Sequence, residues 1–297
     1  MTIEQGVALG LYTTFGSGGP ARAFVRARHE DDVVEALAWA AERDLPVLPL
    51  GFGSNLLVAD EGAELLALRL EGELASSAIE GETMIAGGGA ADALCARQAQ
   101  DAGLTGLEFA ASIPGTVGGG VCMNAGAWGS DFSAVLSRAL VAERGGAHWL
   151  DRDQLGLRYR GSALGLGQIV VRAEFRLARG SSEEIASGVQ AKKSKRVSSQ
   201  PSGIRTFGSV FKNPEHELGA GRMIDACGLK GEQIGGARIS LQHANFIENC
   251  GEATTADALA LIDLSRRRVQ ERFGIALEPE VRLIGSISIP PLPAGGP

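Results

Sequence analysis

The chain has 297 residues, 44% hydrophobic and 21% charged, and 35 acidic against 28 basic residues give it a formal net charge of −7. That length supports one to three domains with a sizeable core, and the composition is that of a folded globular chain rather than a disordered or fibrous one. The acidic balance argues against a nucleic-acid surface, and four cysteines without C-x-x-C spacing (Cys95, Cys122, Cys227, Cys250) exclude a zinc framework or a dense disulfide scaffold.

The opening "MTIEQGVALGLYTTF" lacks the basic and apolar regions of a signal peptide, so a cytoplasmic location with reduced thiols is expected. A strand at Ala23–Ala27, an amphipathic helix at Glu30–Asp44 with acids in its first turn, and a strand at Pro46–Gly51 form a βαβ unit. It delivers the chain into "GFGSN" (Gly51–Asn55). Leu65–Leu70 reads as a strand, "SAIEGETMIAGGG" as a hairpin turning at Gly81, and Ala90–Gly103 as a helix stopped by its glycine. Phe109–Ser130, "FAASIPGTVGGGVCMNAGAWGS", carries no charge. Its proline and glycines make it a buried or ligand-covering segment rather than a membrane span. Strand pairs follow around Val135–Leu150, with a turn at Gly145-Gly146, and at Ile169–Leu177. Ser181-x-x-Glu184 is a capping box that opens a helix containing the basic run Lys192–Arg196, read as a solvated helix end. Beyond it come "GSVFKNP" (Gly208–Pro214), the helix "AGRMIDACG", strands in "ARISLQHANFIEN", a long helix "TTADALALIDLSRRRVQERFG" and the strand "EPEVRLIG".

The 42 glycines are about twice the usual share of roughly 7%. Many positions therefore need positive φ or close backbone approach. "GFGSN" is either an ordinary turn or a concave nest of N–H groups for an anion. It is not the dinucleotide fingerprint, because Leu56 stands where the third glycine belongs, and no Walker A loop is present. "SIPGTVGGGVCMNAGAWG" lets main chain lie against a flat or phosphorylated ligand, or makes a tight structural crossing. In "LRYRGSAL", Arg160 beside Tyr159 is a candidate carboxylate or phosphate clamp, or a surface ion-pair residue. In "LEPEVRLIG", Glu278 and Glu280 share a strand face, with Glu280 expected to be the more buried acid. Ser209-x-x-Lys212 matches the nucleophile signature of penicillin-binding proteins. Yet Gly208, Val210 and Asn213-Pro214 oppose the helix that signature needs, an extended chain turns Lys212 away from Ser209, and S-D-N and K-T-G are absent.

Taken in order, "TTFGSGGPA", "LGFGSNLLVADEG", "FAASIPGTVGGGVCMNAGAWG", "YRGS", "GSVFKNP", "AGRMIDACGLKGEQIGGARIS", "HANFIEN" and "LEPEVRLIG" resemble the UDP-N-acetylenolpyruvoylglucosamine reductase (UDP-N-acetylmuramate dehydrogenase) family, over nearly the whole chain. The resemblance implies an α+β fold. A two-lobed FAD-binding region of the vanillyl-alcohol-oxidase type would occupy residues 1–180, with lobes of about 1–70 and 71–180. A smaller α+β substrate domain at 181–290 and a disordered tail at 291–297 would follow. It further implies noncovalent FAD, NADPH as co-substrate, and a UDP-sugar substrate in peptidoglycan precursor synthesis, with no nucleic acid, membrane or obligate protein partner. FAD contacts fall on Gly51, Gly53, Ser54, Asn55, Leu56, Ser112, Pro114, Gly115, Thr116, Gly118, Gly119, Asn124, Ala125 and Gly126. NADPH would reduce FAD and leave, and the enolpyruvyl substrate would then take a hydride at its terminal methylene. Ser209 matches the proton donor to the neighbouring carbon, and Arg160 and Glu280 match the residues that grip the carboxylate and spread the developing charge. Tyr159, Asn213, Lys212 and Arg196 match substrate contacts.

The chain departs from longer members, which carry an inserted tyrosine loop over the UDP moiety; with only Tyr12 and Tyr159 it resembles the shorter class. Trp128 stands where a tyrosine is common. Two rivals remain: a flavin oxidase of the same fold, which would leave Ser209, Arg160 and Glu280 without a task, and a nucleotide-sugar binding protein without catalysis.

Overall fold

The computed structural model describes residues 1–292, so the expected disordered tail falls, from residue 293 on, outside the described residues. The chain forms two compact units, each discontinuous in sequence. The first takes Met1–Gly6, Arg22–Phe52 and Glu64–Arg196; the second takes Val7–Ala21, Gly53–Ala63 and the chain from Val197 onward.

The first unit is α+β with two apolar cores. In one, the strands Ile3–Glu4, Pro20–Ala27, Ala63–Leu70 and Val47–Pro49 lie in that order across a sheet, the last two parallel in the register Val47↔Leu66. Helix α1 (Glu30–Ala41) buries Val33, Ala36, Leu37 and Ala40, as the apolar spacing requires. Its start is fixed by a reciprocal cap between His29 and Asp32 and by three acids in the first turn. In the other, Gly146–Asp151, Leu136–Glu143, Ile169–Arg176, Thr83–Gly87 and Ser77–Glu80 form an antiparallel sheet in that order. Both anticipated hairpins turn at the expected glycines, Gly81 and Gly145-Gly146, all at positive φ. Helices α2 (Asp92–Asp101) and α3 (Val117–Met123) pack here, and the short α4 (Arg152–Leu155) follows the sheet's edge strand. Phe132 stands edge-on to Phe109 at 5.7 Å and to Phe175 at 5.5 Å, with all three rings buried. Deleting such a ring costs about 3–5 kcal/mol. Helix α5 (Ser182–Ser199) starts where the Ser181 signal placed it, with the Glu184 N–H donating to Ser181 Oγ.

The second unit is α+β as well. Arg205–Ser209, Phe246–Asn249, Ala237–Ile239 and Gln233–Ile234 form an antiparallel sheet, and Leu56–Val58 pairs in parallel with Arg282–Ile284. Helices α6 (Ala220–Ala226) and α7 (Thr255–Phe273) cover its core of Phe15, Phe207, Met223, Ile247 and Leu261. The start of α7 is doubly satisfied: Thr254 and Asp257 cap each other, and Asp60 accepts from the Thr255 and Ala256 N–H groups. Among the described residues no helix is long and apolar enough to cross a membrane.

Candidate active site

The serine at the centre of "GSVFKNP" closes the strand Arg205–Ser209, so the motif is extended, as its glycine, β-branched valine and Asn-Pro pair dictate. The register slips between Thr206 and Ser209, whose partners are Glu248 and Phe246. Gly208, at φ +80°, absorbs the bulge and re-aims the serine. A Cβ on Gly208 would stand 3.2 Å from the Ser54 carbonyl, so Ser54 lies directly on the serine strand.

Three hydrogen bonds bring the Glu280 segment to the same place. Its N–H donates to the Val210 carbonyl (2.8 Å), its carbonyl accepts from Asn55 Nδ2 (3.1 Å), and the Arg282 N–H donates to the Asn55 carbonyl (3.0 Å). Glu280 is half-buried, whereas Glu278 is exposed and accepts from Lys212 Nζ at 2.6 Å. The anticipated strand "EPEVRLIG" is shorter than its apolar pattern suggested: it runs Arg282–Ile284, and Glu280 precedes it in an irregular stretch bridged at Pro279 to Phe211. Lys212 is committed to Glu278, which agrees with the rejection of a serine–lysine acylase.

Sequence reasoning passed over Asn245. It is buried, and its side chain brackets Phe211 by accepting from its N–H (3.0 Å) and donating to its carbonyl (2.8 Å). The Val210 N–H donates to the Asn245 carbonyl (2.9 Å), so this one residue pins the chain just beyond Ser209. The phrase "HANFIEN" carried it, without saying what the asparagine does. Asn213 is exposed and accepts from the Ala220 N–H at the start of α6.

In the first unit, Gly51 and the turn of "SIPGTVGG" meet. A Cβ on Gly51 would lie 2.5 Å from Thr116 Oγ1, and Arg69 donates to the Gly51 carbonyl (3.2 Å). The turn is tied to the start of α2 through Asp92 N–H to the Gly115 carbonyl (3.1 Å) and Val117 N–H to the Ala90 carbonyl (2.9 Å). The Ser112 hydroxyl already accepts from Trp128 Nε1 (3.1 Å) and donates to the Phe109 carbonyl. Asn124 is held at both ends, donating to the Arg158 carbonyl and accepting from the Ser133 N–H. Ala125 caps α3 by donating to the Gly120 carbonyl.

Arg160 sits at the turn of "LRYRGS" with φ +55°, donates through Nη2 to the Gly126 carbonyl (2.9 Å), and holds its guanidinium 5.0 Å from the Tyr159 ring. Asn124 (φ +39°) and Trp128 (φ +60°) are also left-handed. Such backbone costs about 1 kcal/mol or more for a non-glycine residue and marks over-determined sites. On α5, Lys195 stacks on Trp128 at 4.9 Å, and burial holds the half-buried Arg196 guanidinium below its ordinary pKa. The basic run is thus not simply a solvated helix end. A separate cavity of about 430 Å³, lined by residues such as Val135, Asp153 and Arg176, contains none of the expected site residues. Among the described residues no group of three or more histidines, cysteines and acids could hold a metal.

The glycine excess has two causes. Gly115, Gly120 and Gly126 are demanded by the protein's own packing, since a Cβ there would meet Asp92 Oδ2 at 2.7 Å, the Phe132 ring at 2.5 Å, or Asp131 at 2.5 Å. Gly119 is different. It is exposed in helix α3, and its nearest neighbour to an added Cβ is Thr116 Oγ1 at 3.7 Å. Glycine in a helix costs about 1 kcal/mol against alanine, and no neighbour among the described residues requires it there. An exposed main-chain surface beside Thr116 and Gly51 fits the close approach of a phosphorylated cofactor such as FAD.

The comparisons agree. Residues 21–150 match the model described as an FAD binding domain, and residues 200–284 match that of UDP-N-acetylenolpyruvoylglucosamine reductase, C-terminal domain. UDP-N-acetylenolpyruvoylglucosamine reductase 2 of Symbiobacterium thermophilum is 42% identical over 95% of this chain and 92% of its own. The Rubrobacter xylanophilus reductase is 41% identical over 92% of each chain. The crystal structure of the Thermus caldophilus UDP-N-acetylenolpyruvylglucosamine reductase superposes with a TM-score of 0.84 at 38% identity, covering 96% of this chain and 99% of that one. Fold, cofactor region and C-terminal unit converge, and the chain belongs to the UDP-N-acetylenolpyruvoylglucosamine reductase family of FAD-containing oxidoreductases.

Proposed function

We propose that the protein reduces the enolpyruvyl group of UDP-N-acetylglucosamine enolpyruvate to the lactyl ether of UDP-N-acetylmuramate, with NADPH as electron donor and Ser209 as proton donor. The carbon–carbon double bond gains a hydride at its terminal methylene and a proton at the neighbouring carbon, so the atoms and electrons balance. FAD, bound noncovalently, supplies the hydride. In this reading Gly51, the turn of Ser112, Pro114, Gly115 and Thr116, and Gly118–Gly119 hold it, with Asn124, Ala125 and Gly126 shaping that surface. Gly53, Ser54, Asn55 and Leu56 are further FAD contacts in this reading.

Ser209 gives its hydroxyl proton to the carbon beside the carboxylate. A hydroxyl is a weak acid near neutrality, so this works because the carbon is strongly basic and the two atoms are held in contact. Glu280 and Arg160 supply, respectively, a hydrogen-bonding carboxyl and a two-pronged cation for the substrate carboxylate and its developing charge. Tyr159, Asn213, Lys212 and Arg196 reach the UDP-sugar; the Lys212–Glu278 pair is partly exposed and worth little, so a diphosphate can displace it. Because a nucleotide sugar and NADPH are intracellular metabolites, we place the activity in the cytoplasm.

The observation that supports the reading is the Glu280 N–H to Val210 carbonyl bond, which ties the backbone of the proposed acid to the residue after the proposed proton donor. The test is the visible spectrum of the purified protein under anaerobic conditions. A flavin spectrum that bleaches with NADPH and returns with the enolpyruvyl substrate is expected. A protein that stays colourless with added FAD would overturn the reading, as would a reduced flavin that the substrate leaves bleached.

A further inference from the structure

Asp92 is the first residue of α2, and the site described so far gives it no task. It is 1% exposed, and among the described residues neither carboxyl oxygen has a hydrogen-bond partner. An acid opening a helix usually turns outward to its free N–H groups or to solvent. This one is turned inward, with Oδ2 in the space where a side chain on residue 115 would begin: a Cβ on Gly115 would be 2.7 Å away. The two segments are also laced together by backbone, through Asp92 N–H to the Gly115 carbonyl, Val117 N–H to the Ala90 carbonyl and Gly118 N–H to the Gly88 carbonyl. The carboxyl is therefore a filler beneath the Ser112–Thr116 turn, and a buried charge without a partner is untenable there.

We propose that Asp92 is a positioning residue that supports the Ser112–Thr116 turn as an uncharged acid, and that FAD binding is coupled to the proton it carries. The coupling rests on the reading that this turn holds the phosphate part of FAD. Asp92 does not touch the cofactor; it acts through Gly115.

The electrostatic surroundings are consistent with this. Burial alone pushes the Asp92 carboxyl up to about 8. On α2 the titratable neighbour is Cys95, whose thiol is itself pushed up to about 11, first by burial. The turn Ser112–Thr116, helix α3 and the strand Thr83–Gly87 contain no charged residue. From the strand Ser77–Glu80, Ser77 faces α2 and donates to Gln98, while Glu80 is exposed. Arg97, the cation on α2, is exposed and lies 3.8 Å from Asp101, so no cation on these elements stands ready to accept an ionised Asp92. Phosphate anions held at the turn would raise the carboxyl further, so the cofactor-bound form keeps its proton to higher pH than the apo form. By linkage FAD affinity is then flat below about pH 8 and weakens above it, by up to about tenfold per pH unit.

Two measurements on the 297-residue chain test the proposal, using wild type, Asp92→Asn and Asp92→Leu. The first is urea unfolding of the FAD-stripped protein from pH 5 to 9. In the unfolded chain Asp92 ionises near 4, and in the fold it stays neutral to about 8. Wild type should therefore lose ground against both variants as pH rises through that window, and the gap should be constant above it. A gap that does not change between pH 5 and 8 would overturn the uncharged-acid assignment. The second is the Kd for FAD, read by quenching of flavin fluorescence between pH 6.5 and 9. Wild-type affinity should fall above pH 8 while both variants stay flat; parallel profiles for all three would overturn the coupling. Should the chain bind no FAD at all, the proposed function fails with the coupling, and the urea series still decides the state of Asp92.

Discussion

The Glu280 N–H donates to the Val210 carbonyl at 2.8 Å, so the backbone of an acid 71 positions after Ser209 is bonded to the residue that follows the serine. Asn55 completes the arrangement by bonding the Glu280 carbonyl. The three segments come from distant parts of the chain, and the Leu56–Val58 pairing with Arg282–Ile284 is what aligns them.

Asn55→Ala removes the bond to Glu280 but leaves the strand pairing intact. A lost hydrogen bond of this kind costs about 1 kcal/mol, which should appear as a lower urea midpoint. Turnover should fall by about tenfold, because a displaced Glu280 no longer meets the developing charge. An unchanged kcat with the same loss of stability would confine Asn55 to holding the fold.

Arg160 holds φ +55°, a conformation that glycine adopts without strain. Arg160→Gly relieves about 1 kcal/mol and loses a hydrogen bond to the Gly126 carbonyl of about the same worth. Thermal unfolding should therefore shift little, while turnover should fall by about a hundredfold or more. A large drop in Tm would show that the guanidinium serves the fold before the substrate.

Asp257, in the first turn of α7, accepts from the Thr254 and Gly236 N–H groups. The Thr254 N–H, ahead of the opposing effect of burial, holds its carboxyl below the usual carboxylate range. Because the folded-state pKa is depressed, its stabilisation is present above the ordinary carboxylate pKa and is lost as pH falls through the folded value. In chemical denaturation between pH 6 and pH 3, Asp257→Asn should lack that part of the acid-induced loss. Thr254→Ala should cost about 1 kcal/mol near neutrality. An unaltered acid slope in Asp257→Asn would remove the carboxylate from this cap.

Local signals were readable wherever one segment settles its own conformation. Val33, Leu37 and Ala40 announced α1, Gly81 and Gly145-Gly146 announced hairpins, and Gly208 with Asn213-Pro214 announced an extended serine motif. What was not readable is non-local. The strand after Glu280 is short because its partner is Leu56–Val58, and no apolar pattern encodes a partner over 200 residues away. Asn245 looks like any strand-end asparagine until it closes on Phe211. Asp92 reads as a surface acid at a helix start, and only the fold shows it buried under Gly115. The glycines of "SIPGTVGGG" look uniform in sequence, yet Gly115 and Gly120 answer to neighbouring side chains, Gly118 to backbone carbonyls, and Gly119 to no close neighbour among the described residues.

The most direct test of the central claim is Ser209→Ala in anaerobic stopped flow, with the two half-reactions followed separately. Flavin reduction by NADPH should proceed within about twofold of wild type, and reoxidation by the enolpyruvyl substrate should slow by about 10²–10⁴-fold, the usual weight of a positioned proton donor. Reoxidation at the wild-type rate would contradict the assignment of Ser209 and, with it, the account of why the Glu280 segment is bonded beside it.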